Sequence, residues 1–341
     1  MPNLSQAVEK RRKSGPSRAA AQPLAPAKSA DPALRRTDSA HTAFVAIAGT
    51  ALAQINDNAL VLRQTRRLEA VHQLRVGVRR LRSAISLFGP LLEGPQTEAV
   101  IGELKWLNGE LADARDMDVY IADTFRPAAK RHPDWIGLAA FGKSLLAAQS
   151  RAYDRAQTAV CSSRFGALMH EAALWVEAGE WTANGDSKVK RWRAWTIGTL
   201  ADTLLEERRR KLIKRGRKFE SLDAAARHKL RIHAKKLRYA CGFFASLHSG
   251  KAGKRRVAFV TAMHDLQDAL GRLTDIAGAG DTAAGIAGVH VGAEAANPSS
   301  LDLRRAYAAG LVAAERIVGQ DMALEAAKKS LRRFKRAERF W

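Results

Sequence analysis

The sequence predicts an all-α protein, on three observations. Ala and Leu are abundant from about residue 38 onward, which favours helix. Prolines cluster between segments of helical periodicity, and no convincing run of alternating β-branched residues appears. A long helical stretch with one basic pattern occurs twice, as expected of a duplicated helical bundle.

Taken in order, residues 1–37 carry eight Lys/Arg, two acids and the run PSRAAAQPLAPAKSADP. Such a segment buries too little apolar surface to offset chain entropy, so it is expected to be a disordered basic tail, an electrostatic arm or a solvated linker. The uncharged stretch between Asp38 and Asp57 contains Gln54, Asn56 and threonines, too polar for a membrane span. Helix breaks are expected near Gly89-Pro90 to Pro95, at Arg131-His132-Pro133, from Thr182 to Lys188, and across the Gly/Ala-rich span 278–300. VHQLRVGVRRLRSAISLF (71–88) and RHKLRIHAKKLRYACGFF (227–244) superpose without a gap at an offset of 156. Downstream, LKWLNGELADARDMDV (104–119) matches MHDLQDALGRLTDIAG (263–278) at an offset of 159, pairing Asp116 with Asp275. The expected organisation is one domain over 38–341, with repeat one at about 38–183 and repeat two at about 188–341.

Composition narrows the function. The chain has 341 residues, 57 Lys plus Arg and 34 Asp plus Glu, for a net charge of +23, so its surface should attract anions. With 46% hydrophobic residues there is ample material for a packed core. Two cysteines, Cys161 and Cys241, form no CxxC pair, which excludes a disulfide framework and a cysteine zinc site and fits a reducing cytoplasm. The N-terminal residues do not read as a secretory signal, and no membrane association is expected.

The repeated helix carries the chemistry. At about 100° per residue, His72, Arg75, Arg79 and Arg82 fall within an arc of roughly 80°. Beside them Val71, Leu74, Val78, Leu81, Ile85 and Phe88 form a bundle-facing seam, so the basic ridge borders the core. Like charges one turn apart destabilise a helix, and a bound anion would offset that repulsion. His228, Arg231, Lys235 and Arg238 repeat the ridge. Residues 208–238 hold fourteen Lys/Arg against two acids. Arginine pairs two phosphate oxygens with a planar fork, lysine supplies a mobile charge, and imidazole adds N–H donors, so the surface is suited to phosphate. Sequence-reading of nucleic acid would usually add aromatic stacking residues or a docking motif. The aromatic content is 6%, and no aromatic lies on the first ridge.

HQLRVGVRRLRSAISLF, LADARDMDV, HKLRIHAKKLRYACGFF and the terminal RRFKRAERFW together resemble the CHAD domain, the conserved histidine α-helical domain, over about residues 38–341. The resemblance implies two four-helix bundles related by pseudo-two-fold symmetry, with a basic cleft or pore that binds inorganic polyphosphate without catalysis. It carries that role to His72, Arg75, Arg79, Arg80, Arg82, His228, Arg231, Lys235, Lys236 and Arg238. It further suggests supporting contacts from Arg208, Lys211, Arg215 and Lys218, and from Arg332, Arg333 and Arg336. It also implies an association with polyphosphate granules. Relatives that look like a CHAD domain joined to a triphosphate-tunnel barrel carry an E-x-E-x-K strand, which this chain lacks, so hydrolase activity is not inherited from them.

Two rivals remain: a general nucleic-acid binder, supported by charge and tail, and a metal-dependent phosphohydrolase acting on polyphosphate or nucleotides. His264, Asp265 and Asp268 invite a metal reading, as do Asp113, Asp116 and Asp118. Neither set is repeated as a whole, and hydrolysis by a metal-held water needs three or more convergent ligands. Asp116 and Asp275 do repeat and read as carboxylates that orient a neighbouring Arg or Lys. No P-loop, nucleophile elbow or dinucleotide fingerprint occurs, so no cofactor or metal is expected. Cys161 and Cys241 read as small buried hydrophobes, and tryptophans such as Trp106, Trp175, Trp181, Trp192 and Trp195 as packing anchors or end caps. A histidine between like charges should be disfavoured as a cation until a polyanion binds.

Overall fold

Ser39 opens the helical part of the chain. Its hydroxyl accepts the Thr42 amide at 3.1 Å, satisfying a first-turn N–H that has no partner within the helix. The structure, a computed structural model, describes residues 24–182, 192, 195–287 and 299–341. Among these, helices account for nearly all regular structure and no strand is present.

Helix α1 (Ala40–Gln64) ends at Thr65, and α2 (Leu68–Leu87) folds back along it. The two come close because position 77 is glycine: a Cβ there would sit 2.8 Å from Ile55 Cγ1 and 3.2 Å from the Ile55 backbone nitrogen. Val71, Leu74, Val78, Leu81, Ile85 and Phe88 are all buried, as the seam predicted. Helix α3 (Pro95–Glu110) starts on proline, which needs no N–H at that position. A break at Leu111 leads into α4 (Ala112–Tyr120), continued by a π turn (Ile121–Phe125) and a short helical segment (Arg126–Arg131). Helix α5 (Leu138–Cys161) follows Gly137, whose φ of +82° and near-contact with the Arg304 carbonyl exclude a side chain.

Helix α6 (Ser163–Ala178) is capped by Ser162. Helix α7 (Ile197–Arg215) pairs with α8 (Ala224–Phe243), itself capped by Asp223. Three helices complete the chain: α9 (Gly250–Ala287), α10 (Ser300–Ile317) and α11 (Gln320–Arg336). Helix α2 packs on α8, α8 on α9, and α9 on both α10 and α11. One large core runs through α1, α2, α7, α8 and α9, and a smaller one joins α4, α5, α9 and α10 around Phe141 and Val312. Helix α1 is long and apolar enough to span a membrane by length and composition, but Phe44, Ile47, Leu52, Ile55 and Leu62 on it are buried in the large core.

Four expectations need correction. Residues 24–37 do not behave as a disordered tail: Asn58 pairs with both backbone groups of Ala27, and Ser246 bonds Pro32 and Leu34. Side chains distant in sequence hold the segment, which its own composition could not reveal; residues 1–23 lie outside the described residues. Helix α9 runs through 278–287, where a break was expected, because Ala283 is buried against the α5/α10 core and tertiary packing overrides glycine's low propensity. Residues 288–298 and 183–191, where the other parts of two expected breaks fall, are outside the described residues. Cys161 is exposed at the end of α5, whereas Cys241 is fully buried and its thiol is pushed up by burial. Trp195 is exposed to 36%, while Trp175 and Trp181 pack edge-on against Phe44 at 5.6 and 5.2 Å.

Candidate functional site

The phase of α2 turns its basic ridge away from α1, and the phase of α8 turns the second ridge toward the first. Between them lies a cleft of about 900 Å³. Its basic lining is Arg75, Arg79 and Arg82 from α2 and His228, Arg231, Lys235 and Lys236 from α8. The start of α3 forms a further wall through Thr97 and Ile101, and the exposed carboxylates of Glu93 and Glu98 stand on that side.

Arg75 is held in place by a local accident of the fold. The break at Leu111 exposes carbonyls to other donors, and Arg75 Nη1 donates to the Ala112 carbonyl at 2.6 Å, the Leu111 carbonyl at 3.2 Å and Asp116 Oδ1 at 3.3 Å. Asp116 therefore orients Arg75, as its repetition suggested. Arg231 lies against α9 at Gly271, where a Cβ would meet Nη2 at 3.7 Å. Gly271 aligns with Ala112 at the offset of 159, so the two arginines lean on matching positions of their neighbouring helices. The Nε atoms of Arg75, Arg79 and Arg231 are buried without a hydrogen-bond partner among the described residues.

Electrostatics agree with this crowding. Burial, then the charges of Arg231, Arg79, Arg238 and Arg75, lower Lys235 to about 8. Burial, then Arg208, Arg82 and Lys211, lowers Lys236. Burial also lowers Arg75, against the opposing pull of Asp116. His72 is lowered by burial and then by Arg115 of α4; its Nδ1 is buried and unpaired, and it stands at the end of the ridge outside the cleft lining.

Of the seventeen residues singled out from the sequence, the cleft thus gathers seven. Arg80 points elsewhere, with its guanidinium 5.4 Å from the Phe243 ring, and Arg238 lies over Tyr239 at 5.1 Å. Arg208, Lys211 and Arg215 lie on α7 next to Lys236 and are not part of the cleft lining. Lys218 lines a separate surface groove with Lys328 and Arg332. Arg332, Arg333 and Arg336 face a groove between α9 and α11 that also holds Arg255, and Arg333 is paired with Asp265 at 2.6 Å. The α11 arginines therefore do not converge on the cleft, because Phe334, Phe340 and Trp341 dock that end of the chain onto Phe259 instead. Sequence reasoning missed His233, half-buried on α8 among four basic side chains and lowered to about 4 by burial, Arg215, Lys236, Arg208 and Lys211. Its signal was present as a third histidine in the repeated block, where the first repeat has Gly77. Among the described residues no three His, Cys, Asp or Glu side chains are grouped to hold a metal ion.

Solved structures share this architecture. The CHAD domain from the plant Ricinus communis superposes with a TM-score of 0.73 at 27% identity, covering 90% of this chain and 96% of that one. PptA from Streptomyces chartreusis superposes with a TM-score of 0.60 at 19% identity, covering 86% of this chain and all of that one, and shows a similar fold. No curated protein sequence matches the chain. The family model described as the CHAD domain matches residues 46–284, well over half of the sequence, and the chain belongs to the CHAD domain family.

Proposed function

We propose that the protein binds inorganic polyphosphate in the α2/α8 cleft and does not consume it. The observation that carries this reading is the convergence of seven basic side chains from two sequence repeats on one cleft, several of them half-buried at a cost in desolvation. Crowded cations of this kind raise the free energy of the unliganded protein, and their attraction to a bound polyanion offsets that cost. Arginine forks fit phosphate oxygens, and a repeating phosphate chain matches a ridge with donors at successive turns. Membership in a polyphosphate-related family points the same way. We read the duplicated helices as two bundles related by pseudo-two-fold symmetry, with the cleft on the axis, and place the protein in the cytoplasm with polyphosphate granules.

Isothermal titration of Arg75→Ala, Arg79→Ala, Arg231→Ala and Lys235→Ala with polyphosphate tests the site. Each lost charge-assisted contact should cost on the order of 1.5–3 kcal/mol, with helicity unchanged. Wild-type affinity in all four variants would remove the cleft as the site. Single-stranded DNA at matched charge and two salt concentrations is the comparison for non-specific nucleic-acid binding, which should be weaker. Incubation with polyphosphate and Mg²⁺ or Mn²⁺ should release no phosphate; release that depends on His72 or His228 would favour the hydrolase.

A further inference from the structure

We propose that two copies of the chain pair antiparallel through the outer face of α10, giving a weak dimer that carries two clefts. The pairing stands on the geometry of α10; only the statement that the dimer offers two polyanion sites rests on the cleft reading.

Helix α10 turns Ala308, Ala309, Val312 and Ala313 into the smaller core. On its other side Leu303, Tyr307, Gly310, Ala314 and Ile317 follow at spacings of 4, 3, 4 and 3, and all five are exposed. At about 100° per residue they share an arc of roughly 80°. Val318 continues the stripe past the helix end, and the large side chains Leu303, Tyr307, Ile317 and Val318 are 49–83% exposed. No charged residue of α10 falls in that arc. On its flanks Asp302 is paired with Arg305 at 2.8 Å, and Glu315 with Arg131 at 2.5 Å. Copies of a chain with net charge +23 repel one another, and this face lets them approach without bringing like charges together.

The order of large and small residues selects a second copy as the occupant. Alternating spacings of 3 and 4 make the seam by which one helix packs along another at a shallow angle. Tyr307 and Ile317 stand five residues either side of position 312, and Gly310 and Ala314 two residues either side. In an antiparallel pair with its two-fold axis at that level, Tyr307 of each copy meets Ile317 of the other, and Gly310 meets Ala314. The small residues form both central layers and let the backbones come close, while the large side chains close the ends. A Cβ at Gly310 meets nothing within 4 Å in its own copy, so packing within one copy does not call for glycine there. A lipid surface would instead favour large apolar side chains along the whole stripe and basic ones at its edges. Exposed apolar side chains of this size offer on the order of 100 Å² each, so the pair falls below the ~1,200 Å² of a standard interface and the dimer is weak. No residue of the stripe lines the cleft, so pairing occupies neither cleft.

Sedimentation equilibrium of the full chain without polyphosphate, from about 1 to 200 μM and at low and high salt, tests the pairing. A monomer–dimer equilibrium should appear and tighten as salt screens the repulsion, opposite to the salt dependence of polyanion binding. Tyr307→Lys/Ile317→Lys replaces exposed residues and Gly310→Leu fills open space, so both variants should keep their helicity and weaken the dimer about tenfold or more. In a Cys161→Ser background, a mixture of Gly310→Cys and Ala314→Cys chains should form the mixed disulfide in preference to either homodimer. A chain that stays monomeric throughout, a dimer indifferent to both variants, or homodimeric cross-links in preference to the mixed one overturns the pairing. So does binding of the monomer to phosphatidylcholine vesicles that Tyr307→Lys/Ile317→Lys abolishes, which would give the face to lipid. Tripolyphosphate affinity should be unchanged in these variants, and the wild-type dimer should hold long-chain polyphosphate more tightly than the Tyr307→Lys/Ile317→Lys monomer does. Wild-type tripolyphosphate affinity in an Arg79→Ala/Arg231→Ala variant that still dimerises would overturn the cleft and leave the pairing standing.

Discussion

Lys235 stands where the cost of an empty cleft is concentrated. Arg231 and Arg238 flank it on α8, Arg75 and Arg79 face it from α2, and Arg82, His228, Lys236, Glu93 and Glu98 complete the charged groups of the cleft. A lysine lowered to about 8 is less readily charged in the folded protein than in the unfolded chain. Between about pH 8 and its ordinary value near 10.5 the unfolded chain holds the extra proton, so stability rises with pH through that window. The penalty from this residue is fully present below pH 8. A bound polyanion restores the proton. Binding should therefore take up protons above about pH 8, and affinity should fall as pH rises from there toward the bound-state value. Calorimetry in two buffers of different ionisation enthalpy measures the uptake, and Lys235→Arg should eliminate its share; equal uptake in that variant would assign the titration elsewhere. The sequence pointed to the histidines for this role. Burial and Arg115, more than the ridge itself, lower His72, and the ridge position most surrounded by like charge is a lysine.

At the scale of the element, helix phase was legible and helix placement was not. Spacings of three and four residues fix which side chains of α2 share a face, and the whole predicted seam is buried. Arg75, Arg79, Arg231 and Lys235 could be identified from that local property alone. Whether Arg82, Lys236, Arg80 or Arg238 reaches the cleft depends on how α2 and α8 cross, and the remote position of the α11 arginines depends on where the aromatic end of the chain docks. Neither is written in a local period. The closeness of α1 to α2 gives a prediction at this scale. Gly77→Val forces atoms into Ile55 and should destabilise by about 1–3 kcal/mol through overpacking. Gly242→Ala, also within a helix but with nothing within 4 Å of its added Cβ, should stabilise by about 0.5–1 kcal/mol through helix propensity. Urea midpoints of the pair check both signs, and a neutral Gly77→Val would mean that α1 and α2 can separate without loss.

Across the whole molecule, the segment 24–38 ties together the first helix, the turn after α8 and the start of α7. Asn58 of α1, fully buried, accepts the Ala27 amide at 3.1 Å and donates to the Ala27 carbonyl at 2.8 Å. Ser246 accepts the Leu34 amide at 3.0 Å and lies 3.0 Å from the Pro32 carbonyl. The Asp38 and Arg36 carbonyls accept the Ile197 and Gly198 amides at 2.7 and 3.0 Å, and Arg36 pairs with Asp202 at 2.7 Å. Two short side chains thus satisfy backbone groups that a strap without regular structure would otherwise leave unpaired. Composition marked this segment as unable to fold by itself, and that remains physically sound, since its partners lie about thirty and two hundred residues away. Asn58→Ala should cost about 1–3 kcal/mol, the penalty for leaving buried groups unmade, and Ser246→Ala, at an exposed position that water can reach, about 0.5–1.5 kcal/mol. The urea midpoint should fall while the slope stays nearly constant if the strap unfolds together with the bundle. The double variant should open residues 24–38 to hydrogen exchange ahead of the core, as expected of a segment whose ties are few and side-chain-borne. Wild-type midpoints and protection in both single variants would show that the strap is held by Leu34 burial and the Arg36 contacts instead, and that its polar ties carry no stability.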